Sequence, residues 1–413
     1  MKPSIRALAS NVARQESFIV ASKRTPFGAY GGKLKELKAS ELGGLAGKAA
    51  LAELPAGVEV DQVFFGNVAQ SDNSTPYLSR HVGHLSGLGP TVPALTINRL
   101  CGSGFQAAIT AAQHITLGEA DVCLTGGAEA MSMSPYTLSG LSRQSFGNRY
   151  GIDLKLEDSL AAALVDQNPG GAKTPMGVTA ENLAKKYGIS RDECDAYALM
   201  SQQRYGAGLA AGAFVSEIVP VNLKPIKGVP QTLSADEHPR PQSTLASLEK
   251  LPPVFAKDAG TVTAGNASGI CDGGAANIVM SEQALSKYGV TPLTRIASYA
   301  WSACEPEIMG IGPVVAVREA LRKIGKTVQD MDIIEVNEAF AAQWLAVQRE
   351  LELPIERTNM FGGAIAVGHP LGASGARILG NLTHNLHRLN KQWALGAACI
   401  GGGQGIAVVL ERV

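Results

Sequence analysis

The stretch Val60-Asp61-Gln62-Val63-Phe64-Phe65-Gly66-Asn67-Val68 is followed by Leu100-Cys101-Gly102-Ser103-Gly104, and this order occurs twice. It returns as Met331-Asp332-Ile333-Ile334-Glu335-Val336-Asn337-Glu338, followed by Leu371-Gly372-Ala373-Ser374-Gly375. Each time an Asp leads an apolar strand that ends at an Asn. A Leu-x-x-Ser-Gly turn then opens a helix of small residues, at nearly the same separation. Matched order and spacing indicate an internal duplication. Further strand-like runs are Ser17 to Ser22, Ala94 to Ile97, Asp121 to Thr125 and Ile406 to Leu410, and Ala-rich helical stretches cover Gly104 to Leu117 and Gly375 to Leu389. Strands alternating with helices predict an α/β fold with a largely buried sheet. The repeat predicts two similar halves packed together in layers.

The middle of the chain, residues 140–269, fits neither half. It is rich in Pro, Gly and polar residues, and Ser190-Arg191-Asp192-Glu193 has the spacing of a capping box before a helical run from Cys194 to Tyr205. This region reads as a long insertion that covers the site. The expected organisation is therefore a leader at 1–16, a first half at 17–139 completed by about 270–290, a loop domain at 140–269, and a second half at 291–413.

At 413 residues the chain is too long for one ordinary core. Its formal net charge of zero gives no electrostatic reason to expect a nucleic-acid partner, and none is expected. No apolar run approaches the roughly 18 residues of a membrane span. The six cysteines are widely spaced without a CxxC pair, which argues against a disulfide framework or a zinc site. Residues 1–15 carry Lys2, Arg6 and Arg14 with Ser4 and Ser10, and no acid precedes Glu16. Such a start fits a mitochondrial transit peptide. The last residues, Glu411-Arg412-Val413, are not a peroxisomal signal.

Cys101 lies in Asn98-Arg99-Leu100-Cys101-Gly102-Ser103-Gly104, between a strand and a helix. A residue on such a turn is presented at a helix N-terminus. There, unpaired N–H groups and the helix dipole are expected to lower a thiol's pKa and to hold an oxyanion. The competing reading is a small buried apolar residue. His369 lies between Gly368 and Pro370 in a loop before a helix, where a base can reach across from the other half. Cys399 directly precedes Ile400-Gly401-Gly402-Gly403-Gln404-Gly405, which lacks the Lys-Ser/Thr ending of a phosphate-binding loop and the spacing of a dinucleotide fingerprint. Asn337 follows a strand as either a helix N-cap or a holder of water.

Together these segments resemble the thiolase family, and within it the mitochondrial 3-ketoacyl-CoA thiolases of fatty-acid oxidation. The resemblance runs through Arg24-Thr25-Pro26-Phe27-Gly28, Asn98 to Gly104, Gly265-Asn266-Ala267-Ser268-Gly269, Asn337-Glu338-Ala339-Phe340, Gly368-His369-Pro370 and Cys399 to Gly405. It implies a layered αβαβα arrangement and thiolytic cleavage of 3-ketoacyl-CoA through an acyl-thioester on Cys101. His369 would favour the thiolate and Cys399 would carry the substrate proton. The negative oxygens would be held by His369 with a water on Asn337, and by the N–H groups of Cys101 and Gly401. Arg240 and Ser243 match positions at the nucleotide end of CoA, and Ser268 a position near the pantetheine. No metal or redox cofactor is implied; coenzyme A is a substrate, and the expected assembly is a homodimer or homotetramer.

One departure matters. Relatives specialised for acetoacetyl-CoA carry a histidine where this chain has Pro175 in Thr174-Pro175-Met176-Gly177, so a narrow acetoacetyl-CoA-forming acetyltransferase is the alternative rather than the expectation. A decarboxylating ketoacyl synthase pairs its cysteine with two histidines or a His and an Asn, which the second cysteine, Cys399, speaks against. A CoA-binding protein without catalysis would have no need of Cys101, Asn337, His369 and Cys399 together.

Overall fold

A computed structural model of the chain describes residues 15–138, 156–168, 173–256 and 259–413. Nearly all of the expected leader, and part of the expected loop domain, lie outside the described residues. Nine strands form the path of one sheet: β1 (Ser17–Arg24), β2 (Gln62–Gly66), β3 (Ala94–Ile97), β4 (Val122–Ala130), β5 (Cys271–Ser281), β6 (Thr294–Ala303), β7 (Ile333–Val336), β8 (Trp393–Ile400) and β9 (Gln404–Arg412). Their order is β7-β8-β9-β6-β1-β5-β4-β2-β3, and the two-residue strand Gly28–Ala29 adds to β5.

That order is one motif used twice. In the first half β1–β5 and β5–β4 are antiparallel, while β4–β2 and β2–β3 are parallel. In the second, β6–β9 and β9–β8 are antiparallel and β8–β7 is parallel. Where a counterpart of β3 would lie there is a single parallel bridge between Ile334 and Thr358. The halves join edge to edge where Phe18 and Ile19 meet Arg295 and Thr294.

The repeated aspartate has a physical task. Asp61 accepts from the backbone N–H groups of Asp121 and Val122, both at 2.8 Å, and so pins the start of β4 beside β2. Asp332 does the same for Gln392 and Trp393 at 3.0 and 2.9 Å, pinning β8 beside β7. The second residue reached is 61 positions along in both halves. This constant spacing corrects a detail of the sequence repeat: aligning Asp61 with Asp332 makes Glu338, not Asn337, the counterpart of Asn67.

Helices α1 (Ala39–Leu51) and α2 (Leu78–Leu85) cover the outer face of the first half. Between the halves lie α3 (Ser103–Leu117) and α8 (Leu371–Arg388), which touch strands of both. Region 156–269 contributes α4 (Met176–Tyr187) and α5 (Arg191–Ala210), and α6 (Pro313–Arg322) with α7 (Ala341–Leu351) covers the second half. With the two halves of the one sheet on either side of α3 and α8, the result is the expected layering of helix, sheet, helix, sheet, helix. The inner pair is close because of the Ser-Gly turns. A methyl on Gly104 would overlap the backbone of Gly372 and Ala376, and one on Gly375 would overlap that of Gly104 and Phe105. Along the contact, Ala107, Ala108 and Ala111 share one buried cluster with Ile378, Leu379 and Leu382. Burial of that apolar surface, at about 25 cal/mol per Å², is what binds the two halves.

The capping box before α5 forms as read. The Glu193 N–H donates to Ser190 Oγ at 3.2 Å, and the Ser190 N–H to Glu193 Oε2 at 2.8 Å. The helix runs on past Tyr205 through Gly206 and Gly208. Packing decides this: Gly206 abuts Pro241, and Gly208 sits against Phe214 and Phe361. Such contacts offset the roughly 1 kcal/mol that glycine costs a helix. On its inner side, Tyr197 and Ser201 donate to the buried Glu338, both at 2.7 Å, which seats α5 on the second half.

Candidate active site

β3 ends at Ile97 and α3 starts at Ser103, so Cys101 occupies the turn that sequence placed it on. The turn is tight: Leu100 has φ +46°, the left-handed region that a leucine side chain disfavours. Ser103 closes it, its Oγ accepting the Arg99 N–H at 2.9 Å and donating to the Leu100 carbonyl at 2.7 Å. Cys101 is only 3% exposed. The backbone N–H groups of Gly401 and of Cys101 itself lie close enough to pull its pKa down. The expected lowering of its pKa is not what the site shows. Burial pushes the thiol up to about 11, against the pull of those two N–H groups and with a further push from Glu129. Removing a thiolate from water costs more than two neutral donors return. The rate of Cys101 alkylation by iodoacetamide in the free protein is therefore expected to climb about tenfold per pH unit from 7 to 10. A plateau near pH 8 would show an activated thiol, and levelling off at about pH 9.5 an ordinary one.

The second half uses the same turn for a different residue. Ser374, the counterpart of Ser103, donates to the Pro370 carbonyl at 3.0 Å and lies 2.6 Å from His369 Nδ1. With its one hydrogen committed to Pro370, the hydroxyl accepts from Nδ1–H. His369 Nε2 is thus left unprotonated, 3.3 Å from Asn337 Nδ2. Burial, reinforced by the positive Arg377, holds the imidazole pKa down to about 3, so the ring is neutral. Asn337 is buried, and its Oδ1 has no hydrogen-bond partner among the described residues. It is not a helix cap, because α7 starts at Ala341 with Phe340 as its N-cap residue.

Cys399 is the second-last residue of β8. It is wholly buried, and burial first, then the neighbouring Cys101, push its thiol well above the usual range. The Gly401–Gly403 turn leads into β9 with Gly402 and Gly403 at φ +77° and +80°. This left-handed turn carries the Gly401 N–H back toward Cys101.

A cavity of about 360 Å³ opens onto Cys101, His369 and Ser268. The rest of its wall is almost entirely apolar, with Met131, Leu164, Val165, Met176, Phe255 and Phe340 among it. Several of these come from region 156–269, as does Pro175. Cys399, Asn337 and Gly401 are not on the cavity wall but touch residues that are. Arg240 and Ser243 are elsewhere. Arg240 is exposed, with Nη1 donating to the carbonyls of Glu237, His238 and Pro239 at 2.8–2.9 Å, and Ser243 donates its N–H to the Arg240 carbonyl at 2.9 Å. Sequence reading gave no role to Ser374, although the repeated Ser-Gly turn contained it, and passed over Glu129.

A buried thiol on a strand–helix turn, a neutral histidine from the matching turn and a second thiol beside the first, all on a duplicated α/β scaffold, are the parts of a thiolase. The chain belongs to that family: residues 17–283 match the thiolase N-terminal domain and 290–412 the thiolase C-terminal domain. It is 55% identical over 395 residues to the human mitochondrial 3-ketoacyl-CoA thiolase, covering 95% of this chain and 98% of that one. To the acetyl-CoA acetyltransferase of Chromobacterium violaceum it is 47% identical over 400 residues, covering 96% and 100%. The crystal structure of human mitochondrial 3-ketoacyl-CoA thiolase in complex with CoA matches with a TM-score of 0.92 at 54% identity, covering 97% of this chain and 98% of that one.

Proposed function

We propose that the protein cleaves 3-ketoacyl-CoA with CoA to give acetyl-CoA and a shortened acyl-CoA, through an acyl-thioester on Cys101. The observation that carries this reading is that Cys101 and His369 line one apolar cavity, with Cys399 beside Cys101 just behind its wall. Because thiol and imidazole are both neutral at rest, the proton passes from Cys101 to His369 as the sulfur attacks C3 of the substrate. The negative oxygen formed there is held by donors at fixed positions, which need no rearrangement as charge develops. The C2–C3 bond then breaks and its electron pair stays on the acetyl-CoA fragment. Cys399 protonates that carbanion. In the second step the CoA thiol attacks the thioester; its proton restores Cys399, and His369 returns its proton to the departing Cys101 sulfur.

The N–H groups of Cys101 and Gly401, which lie near the resting sulfur, form one oxyanion site. His369 with a water on the unpartnered Asn337 Oδ1 forms the other. Ser268, on the cavity wall, contacts the pantetheine, while Arg240 and Ser243 contact the nucleotide end of CoA from outside it. No metal or redox group is needed, and CoA is a substrate. Pro175 on the wall, and greater identity to 3-ketoacyl-CoA thiolases than to acetyl-CoA acetyltransferases, favour a degradative enzyme over an acetoacetyl-CoA-forming one. Mitochondrial matrix placement is supported by the basic, acid-free first fifteen residues and by the mitochondrial relatives. A homodimer or homotetramer is favoured by β3, which ends the sheet with its outer edge unpaired among the described strands and Leu95 half exposed. The described parts of region 156–269 act as a cover over the site.

The test is loss of 3-ketoacyl-CoA absorbance on adding CoA, run as a chain-length series. Consumption of substrate with acetyl-CoA release is expected. Folded protein that consumes none of the series would end the enzyme reading.

A further inference from the structure

Glu129 is the penultimate residue of β4 and is fully buried. Its carboxylate collects N–H donors from two separate parts of the fold. Oε1 accepts from Asn67 Nδ2 at 2.9 Å and the Ala69 N–H at 2.9 Å, and Oε2 from the Val68 N–H at 3.1 Å. These three belong to the loop that leaves β2 in the first half. Oε2 also accepts from the Gly372 N–H at 2.8 Å. Gly372 is in the first turn of α8, three residues after His369 and two before Ser374. Every recorded partner of the carboxylate is thus a donor, and one comes from the half that supplies the base.

The residues that Glu129 ties down are those that enclose the nucleophile. Cys101 packs in a small buried cluster with Met131, Leu160 and Leu371, against which Val68 and Leu164 also lie. Glu129 grips the backbone of Val68 and the peptide that follows Leu371, and it stands two residues before Met131. Close packing at Gly372, where a methyl would overlap the Gly66–Asn67 backbone, leaves this junction no slack. No other carboxylate spans the nucleophile's half and the base helix in this way among the described residues that surround Cys101.

We infer that Glu129 is a positioning residue for this reaction, the acceptor that fixes the Cys101 pocket of one half against the His369–Ser374 turn of the other. It touches neither substrate nor reacting atoms. It acts by setting the separation and angle between the sulfur of Cys101 and Nε2 of His369, which must stay matched through both acyl-transfer steps. An acceptor-only group is required, because a primary amide in its place would direct N–H bonds at a ring of N–H donors. Burial pushes the Glu129 carboxyl up to about 7, its N–H donors pull it down, and the charge of Asp272 on β5 adds to the upward push.

This inference rests on the thiolase reading above, and the experiment separates the two. Glu129→Gln and Glu129→Asp are compared with the unaltered protein for thiolysis and for the rate at which Cys101 is alkylated, with thermal unfolding and circular dichroism to count folded protein. For Glu129→Gln, kcat per folded enzyme is expected to fall about 100-fold, with KM for CoA within about twofold, since misplacement near 1 Å costs that much in rate but little in binding. Glu129→Asp, which remains acceptor-only, is expected to retain more activity than Glu129→Gln. Alkylation of Cys101 needs the thiol but not the base, and in Glu129→Gln it should hold or rise modestly while kcat falls, because the charge that pushes the thiol up is gone. Equal kcat in Glu129→Gln and unaltered protein, or Glu129→Gln outperforming Glu129→Asp, overturns the inference. A fall in unfolding temperature with kcat per folded molecule unchanged also overturns it. Absence of thiolysis in the unaltered protein would instead strike at the function itself.

Discussion

Cys101→Ser is expected to leave the folded protein without a detectable acyl-enzyme and to lower thiolysis by about 10⁴-fold or more, the scale on which loss of a covalent nucleophile registers. The reason lies in leaving groups as much as in attack. A serine alkoxide is a far poorer leaving group than a thiolate, so an ester on Ser would not pass its acyl group to CoA. The turn would survive the change, since Ser103 and the left-handed Leu100 shape it and the oxygen is smaller than the sulfur. Intact mass after mixing with a 3-ketoacyl-CoA reads the outcome. The unaltered protein should gain the acyl mass and the variant none. An acylated variant at comparable rate would move the nucleophile elsewhere.

The second large effect separates proton transfer from acyl transfer. Cys399→Ala is expected to lower carbon–carbon cleavage by about 10³-fold or more, because the carbanion is left without its acid. The same variant should still accept an acyl group from a simple acyl-CoA, a step that breaks no carbon–carbon bond. Its measure is CoA exchange with labelled acyl-CoA alongside thiolysis. Normal cleavage by Cys399→Ala would show that another group carries the substrate proton. Its effect on folding should be small, since a fully buried thiol and a methyl differ by a single atom in an apolar cluster with Met309 and Ala339.

The architecture could be read from the chain because the duplication left the same short words in the same order. Asp61 and Asp332 each have to pin a neighbouring strand, and each turn needs Ser and Gly to bring two helices together, so those residues recur at fixed spacing. Ala94–Ile97 was legible to the residue, as was the start of α5 at its capping box. The turns that carry Cys101, His369 and Cys399 are legible in the chain, and the structure brings those three residues together. Other features carry no local mark. Nothing in a leucine announces φ +46°, because the turn imposes it from outside. Glu129 looks like any strand-end acid until the fold closes N–H donors around it. The chemistry of Cys101 is not legible locally, because a helix N-terminus is visible in sequence whereas the burial that outweighs it is not. Residue type pairs Asn337 with Asn67, and only strand pairing shows that Glu338 is the equivalent position.

The order of strands also carries a consequence in time. β5 lies between β1 and β4, yet it is encoded some 140 residues after β4 ends and about 250 after β1 begins. On a ribosome moving at about 5–20 residues per second, the first half waits on the order of ten seconds or more for its central strand. Until then the edges of β1 and β4 have no partner, and pairing across such long separations is slow. Those seconds are when the nascent chain most needs a chaperone. A substitution within β5 would therefore be felt first in the yield of soluble protein, before any measurement on molecules that had succeeded in folding.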